Sequence, residues 1–281
     1  MHGTEHGGHT FEETTVSVVI PFCGKYTPDE MLSEAVESAE NQVGVETEIL
    51  VVEDEDERGP AWARNVGLDR AETRYVALLD ADDIWEETKL RDQLTEMAET
   101  GAGICVDGDT ERSPVEFAGA LLTADTHSLT SSILLDTEQV STRFDESLER
   151  REDHLFMIEA AREAGICYCE ETFYGRTHDD GFSNFVESSR DQIDEFFEQV
   201  VAVAPEVKRY ERDYYRTSYT YLGRMRHFDG EYRRAIRHFM ESLRYGPRVI
   251  NVGALGITLL TMAYEIPARS IRRLTAGGAY E

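Results

Sequence analysis

From Val16 onward the chain alternates short, nearly unbroken apolar runs with longer stretches whose apolar residues recur every three or four positions. VSVVIP (16–21), EILVVE (48–53) and YVALLD (75–80) are runs of the first kind and predict strands buried on both faces. Between them, Met31, Leu32, Ala35, Val36 and Ala39 trace one helical face, with Thr27 as cap, Pro28 at the first position and Glu30 completing a capping box. Pro60 opens a second helix that runs to Ala71. This alternation predicts right-handed crossovers and an α/β fold, a mainly parallel twisted sheet with helices on both faces. A helix near 86–99 follows, then short strands at 103–106, 115–122 and 131–135. The second part of 144–165 reads as a helix stopped by Gly165, and 166–174 as a further strand.

From about residue 191 the pattern is all helical. Leu222, Gly223, Gly230, Tyr232, Ala235, Phe239 and Pro247 fall at the spacing of a single tetratricopeptide-like hairpin, which cannot bury its own apolar face without a further packing partner. Residues 1–15 are rich in Gly, His and Glu without periodicity and predict a disordered tail. The expected organisation is thus a tail at 1–15, a sheet domain at 16–190 and a C-terminal helical region at 191–281.

Charge changes this picture in two ways. The net charge is −28, from 56 acidic and 28 basic residues, and only Lys25, Lys89 and Lys208 are lysines. Excess carboxylate with almost no lysine suits a very salty cytoplasm, where a Debye length of about 3 Å at 1 M screens self-repulsion. The charge is also uneven: residues 214–281 hold eleven arginines against Asp229, Glu231, Glu241, Glu265 and Glu281, a net of +6, so the rest carries −34. That asymmetry points the C-terminal part toward something anionic. The uncharged run 249–264, flanked by Arg244, Arg248, Arg269, Arg272 and Arg273, is shorter than the roughly 20 residues a membrane span needs and predicts peripheral contact or a buried helix. Cys23, Cys105, Cys167 and Cys169 lack zinc-type spacing, and no leader precedes Val16; both predict a reducing cytoplasm. No nucleic-acid partner is expected.

The candidate chemistry sits at strand ends. The parallel sheet brings Pro21, Asp54 and Asp80 to one edge, where such sheets bind ligands. Neither G-x-G-x-x-G nor G-x-x-x-x-G-K-[ST] follows any strand, so a diphosphate there needs a cation in place of a nest of amides. Asp80, Asp82 and Asp83 crowd like charges and offer oxygen ligands suited to Mg²⁺ or Mn²⁺; an acidic helix-opening turn capped by Asp83 is the competing reading. Glu152 and Asp153 open a helix, where the dipole favours carboxylates.

Four segments in order resemble glycosyltransferase family 2, the inverting class with the GT-A fold, as a halophilic archaeon would carry it. They are VSVVIPF, EILVVED, ARNVGLDRAETRYVALLDADDIW and FDESLERRED, spread over residues 16–178. The resemblance implies a metal-dependent, hexosyltransferase-like enzyme that moves a sugar from a nucleotide-diphosphate donor to a saccharide or a polyprenyl- or dolichyl-linked acceptor. It would work in the cytoplasm or on the inner face of the membrane, in cell-surface glycan or glycoprotein assembly. By position it implies Asp153 as catalytic base, Asp80, Asp82 and Asp83 at the metal, and Pro21, Phe22, Glu53, Asp54, Arg64, Asp80, Arg176 and His178 at the donor. Phe22-Cys23-Gly24 and Glu55-Asp56-Glu57 depart from the family's usual loops, which leaves the base and ribose contacts open. A catalytically silent nucleotide-sugar-binding scaffold is the alternative.

Overall fold

The computed structural model describes residues 11, 13–108, 110–126, 130–148, 150–170, 173–175 and 190–276. The chain divides into two compact units, one of Met1–Leu121, Asp125–Glu187 and Glu198–Val207, the other of Leu122–Ala124, Ser188–Phe197 and Lys208–Glu281.

The first unit is built on a six-stranded sheet in the order β2-β1-β3-β6-β5-β7. Its strands are β1 (Thr15–Phe22), β2 (Glu46–Glu53), β3 (Tyr75–Leu78), β5 (Ile104–Asp107), β6 (Leu134–Asp136) and β7 (Ile166–Cys169). β6 runs antiparallel between β3 and β5, and the other pairings are parallel. A short antiparallel pair, β4 (Ile84–Trp85) with β8 (Phe173–Tyr174), lies apart. Helices α1 (Asp29–Glu40), α2 (Pro60–Arg70) and α3 (Lys89–Thr100) make the crossovers, and α5 (Glu152–Ala164) leads into β7. Val16, Val18, Val19 and Ile20 of β1 are wholly buried, as a continuous apolar run demands when both sheet faces are covered. α2 comes so close that a Cβ on Gly67 would sit 2.1 Å from Val19 Cγ1, so only glycine fits at that crossing.

The structure corrects several local expectations. β2 is not buried on both faces: it is the edge strand of the sheet, with Val52 buried but Val51 38 % exposed. Of 131–135, the first two residues belong to a 3₁₀ turn, Thr130–Ser132, and the strand is Leu134–Asp136. Residues 115–122 form a helix, α4 (Pro114–Thr123), not a strand. The reason was present in the sequence: Ser113-Pro-Val-Glu116 is a capping box, in which Ser113 N–H donates to Glu116 Oε2 at 3.0 Å and Pro114 opens the helix. Conversely, α1 begins at Asp29 with Pro28 as its N-cap and no side-chain cap, so the box read at Thr27 does not form.

Next along the chain is α6 (Arg190–Val203), and the second unit is helical. α7 (Glu211–Phe228) and α8 (Tyr232–Arg244) are joined at Gly230, which takes a left-handed φ of 74°, and they cross where Gly223 meets the buried ring of Phe239. α9 (Val249–Ala276) packs on this hairpin by its polar residues. Asn251 Nδ2 donates to Ser242 Oγ (2.9 Å) and Gly246 O (3.1 Å), and Thr258 Oγ1 pairs with His227 Nδ1 (3.0 Å). Asn251 and Thr258 are buried, whereas Val249, Ile250, Val252, Ile257, Leu259 and Leu260 are exposed, Val249 to 93 % and Leu260 to 73 %. The usual arrangement of a surface helix is inverted here.

Candidate active site

Parallel pairing aligns the carboxyl ends of β1, β2 and β3, and residue 22 stands opposite residue 53. Asp54 N–H continues the ladder to Phe22 O at 2.8 Å. Asp54 is buried, and its oxygens accept the N–H groups of Arg58 (2.9 Å) and Gly59 (2.7 Å), which shapes the turn into α2. Glu53 is exposed on the same edge, Pro21 is half-buried, and Phe22 belongs to the core. The loop after β1 is tied to the loop after β2, because Lys25 Nζ (2.5 Å) and Tyr26 OH (2.9 Å) both donate to Glu57 Oε2.

The acidic turn after β3 is organised by Ser131, from a one-turn 3₁₀ segment, Thr130–Ser132. Its hydroxyl accepts Asp80 N–H at 3.0 Å and donates to Asp83 Oδ2 at 2.5 Å, and its carbonyl accepts the Trp85 indole N–H at 2.8 Å. Asp83 is therefore buried, while Asp80 and Asp82 remain half-exposed at the mouth of the turn.

Arg64 of α2 joins this turn to the start of α5. Its Nη2 donates to Asp80 Oδ1 at 2.8 Å and its Nη1 to Glu152 Oε1 at 2.9 Å, with the guanidinium 5.3 Å from the Phe144 ring. Phe144 in turn stacks on Phe156 of α5, centroids 4.0 Å apart. Burial opposes the charge on Arg64, yet Asp80 and Glu152 outweigh it and hold the guanidinium above its ordinary value. Burial, then the neighbouring Asp153, push the Glu152 carboxyl up against the pull of Arg64. Arg64 Nε is buried without a hydrogen-bond partner. Asp153, next along α5, is half-exposed, and its Oδ1 accepts His154 N–H at 2.8 Å. Arg151, immediately before the helix, holds a left-handed φ of 64°, the kind of backbone strain that gathers at functional sites.

Among the described residues no three His, Cys, Asp or Glu side chains converge as a ready-made metal cage. The donor set at the turn still fits Mg²⁺ or Mn²⁺, which take one or two carboxylates and complete their shell with water and phosphate oxygens. Asp82 and the Asp80 oxygen not engaged by Arg64 are the groups placed for this. Asp83, expected beside them, is turned inward to Ser131.

The structure thus brings Arg64 and Asp80 into direct contact, and Asp153 adjoins their third partner, Glu152. It sets Pro21, Phe22, Glu53 and Asp54 together at the β1–β2 edge. Arg176 and His178 lie outside the described residues. Sequence reasoning placed Glu152 only as a dipole-complementing residue and passed over Ser131 and Asn65. Asn65 follows Arg64 directly and was within reach of the motif, but Ser131, in a run of polar residues, offered no signal.

A mainly parallel sheet with one antiparallel insertion, flanking helices and acidic strand ends defines the GT-A type of α/β fold. Solved structures agree. Staphylococcus aureus TarS residues 1–349 with UDP-GlcNAc superposes with a TM-score of 0.55 at 17 % identity, over 84 % of this chain and 83 % of that one. The UDP complex of the same protein gives 0.51 at 16 %, over 95 % and 93 %. Within the chain, residues 55–122 match the family model described as Glycosyl transferase family 2. TuaG of Bacillus subtilis, a glycosyltransferase assigned to teichuronic acid biosynthesis, is 44 % identical over 64 residues, 23 % of this chain and 25 % of TuaG. The succinoglycan biosynthesis protein ExoO of Rhizobium meliloti is 31 % identical over 105 residues, 29 % of this chain and 30 % of ExoO. The similarity to these curated relatives spans less than a third of their length, and the family match at 55–122 contains the acidic turn.

Proposed function

We propose that the chain is an inverting, metal-dependent glycosyltransferase that moves a sugar from a nucleotide-diphosphate donor to a saccharide or lipid-linked acceptor in cell-surface glycan assembly. The observation that supports it most is the Arg64 bracket, which ties the strand-end carboxylate Asp80 to the helix that starts with Glu152 and Asp153. Displacement at an anomeric carbon needs a base on one side of the sugar and charge stabilisation on the other. Asp153 is the base: Oδ1 is occupied by the His154 amide, and Oδ2 takes the proton of the acceptor hydroxyl. As the acceptor's hydroxyl oxygen bonds to C1, the C1–O bond to the diphosphate breaks and its electron pair leaves with the nucleotide. Attack opposite the leaving group inverts the configuration. Asp80 and Asp82 would hold a divalent cation, which would neutralise charge on the departing diphosphate. Glu53, with Pro21 and the loop shaped by Asp54, borders the nucleotide.

TarS has been solved with UDP-GlcNAc, which makes UDP-sugars the first donors to try. The test is nucleotide release from UDP-, GDP- and dTDP-sugars in molar KCl with Mn²⁺, Mg²⁺ or EDTA. Release from one donor, lost in EDTA and in Asp82→Asn, is expected; Asp153→Asn should abolish transfer while donor affinity stays nearly intact. Metal-dependent nucleotide binding with no turnover toward any acceptor would favour a scaffold instead.

The same reading includes contact with an anionic membrane surface on the cytoplasmic side, through α9. Its outward face is apolar from Val249 to Leu260, and the exposed Arg244 and Arg248 stand at its start. No helix among the described residues is long and apolar enough to cross a membrane. Sedimentation with phosphatidylglycerol vesicles should fall when residues 249–281 are deleted; unchanged sedimentation would remove the membrane from this reading.

A further inference from the structure

The N-cap residue of α5, Arg151, is left-handed and its side chain does not cap the helix. The carboxylate of Glu152 ties that first turn across to Arg64 Nη1 at 2.9 Å, a partner 88 positions away in sequence. The other end of the same guanidinium holds Asp80 at 2.8 Å. A guanidinium is planar and rigid, so bonds from two of its nitrogens to two carboxylates fix the separation of those carboxylates. Arg64 and Glu152 are themselves closed off, with side chains 5 % and 12 % exposed, whereas the Asp80 side chain is 30 % exposed. The open groups, Asp80 and Asp153, are the ones fit to meet substrate. The closed pair behind them holds no such position.

We propose that Glu152 is a positioning residue for the reaction: through Arg64 it sets the place of Asp153 relative to Asp80, and hence the distance between proton acceptor and leaving group. The assignment rests on the transferase reading given above. It explains why a carboxylate stands buried beside the base, where like charge and desolvation both count against it. A tie of this kind is worth its cost only if the geometry it holds matters. Displacement chemistry is that sensitive, since a displacement of about 1 Å can lower the rate on the order of 100-fold.

The test uses the full chain with whichever donor the nucleotide-release panel identifies, and with the corresponding nucleoside diphosphate as binding probe. Glu152→Gln keeps the shape and one acceptor oxygen but removes the charge that grips Arg64. Turnover should fall about 10- to 100-fold while donor KM and nucleotide Kd stay within about twofold, a split that follows from misplacing the base without touching the donor. Glu152→Asp keeps the charge and shortens the reach by one methylene, and it should fail to rescue turnover. Circular dichroism and nucleotide binding certify that each variant is folded. Turnover unchanged in Glu152→Gln, parallel loss of turnover and nucleotide affinity, or full rescue by Glu152→Asp would each overturn the assignment. A wild-type chain that turns over no donor would be a different failure, of the transferase reading itself, and would take the assignment with it.

Discussion

Asn65 and Phe144 are joined by two hydrogen bonds: Asn65 Nδ2 donates to the Phe144 carbonyl at 2.9 Å, and Phe144 N–H donates to Asn65 Oδ1 at 2.8 Å. A side-chain amide paired in this way with one backbone unit imitates a rung of a β-ladder. It fastens the segment that leads to α5 onto α2, one residue along from Arg64. The same Nδ2 also reaches Glu146 at 3.0 Å.

Asn65→Asp therefore replaces the donor that faces two acceptors with a third acceptor, at almost no change in volume. Leaving such groups unsatisfied costs about 1–3 kcal/mol, and the urea midpoint should fall accordingly without a change in slope. Turnover should fall with it, because the segment before the base is loosened. An unaltered midpoint would mean that the rung contributes nothing to the fold.

Ser131→Ala removes the hydroxyl that accepts Asp80 N–H and donates to Asp83, so a single deletion disturbs both ends of the acidic turn. A loss of about 1–3 kcal/mol is expected. The more telling readout is linkage: Mn²⁺ plus nucleotide raises the unfolding temperature of whichever protein it binds, and the rise should be smaller in the variant. Equal rises in the two proteins would show that the turn keeps its donor-binding shape without Ser131.

The sheet was legible because strands buried on both faces must be largely apolar; β3 is so throughout, and β1 is so apart from Thr15 at its start and the hydrogen-bonded Ser17. The acidic turn stood out for a complementary reason: three carboxylates crowd together directly after such a strand, although one of them, Asp83, proves to be buried on Ser131. What escaped was the support behind the turn. Ser131 and Glu152 act through contacts 48 and 88 residues away along the chain, and no periodicity encodes a contact of that kind. The helix at α4 was lost differently, since a run as apolar as VEFAGALL satisfies strand and helix alike and only the preceding capping box decides.

Asp136, at the end of β6, gives the fold a pH dependence in acid. Burial alone would raise its pKa. Arg74, Gln139 and the Glu138 amide, at 2.8 to 3.2 Å, outweigh burial and hold the carboxyl below its ordinary value of 3.8. A carboxyl held low in the folded state stabilises it above the unfolded pKa, and that contribution is lost as pH falls through the folded value. Asp136→Asn should thus be less stable than wild type at pH 7, by about 1–3 kcal/mol for weakened hydrogen bonds to a charged group. The gap should close below pH 3.8. A gap that persisted undiminished into strong acid would show that the loss comes from packing instead of ionisation.

The helical unit is tested at its crossing point. A Cβ added to Gly223 of α7 would lie 2.5 Å from Phe239 Cε1, and Phe239 is wholly buried, so the ring has no open side to turn toward. In an exposed helix Gly→Ala gains up to about 1 kcal/mol from propensity. Here overpacking costs about 1–3 kcal/mol and should win, leaving Gly223→Ala net destabilised. Trp62 and Trp85 both lie in the first unit, so tryptophan fluorescence would miss the change, and far-ultraviolet circular dichroism in urea is the appropriate probe. Phe239→Leu makes room while leaving a small cavity. If the clash is the cause, the double variant will lose less than the sum of the two singles, by a coupling on the order of 1 kcal/mol. A Gly223→Ala protein more stable than wild type would mean that α7 and α8 stand farther apart than the ring contact requires.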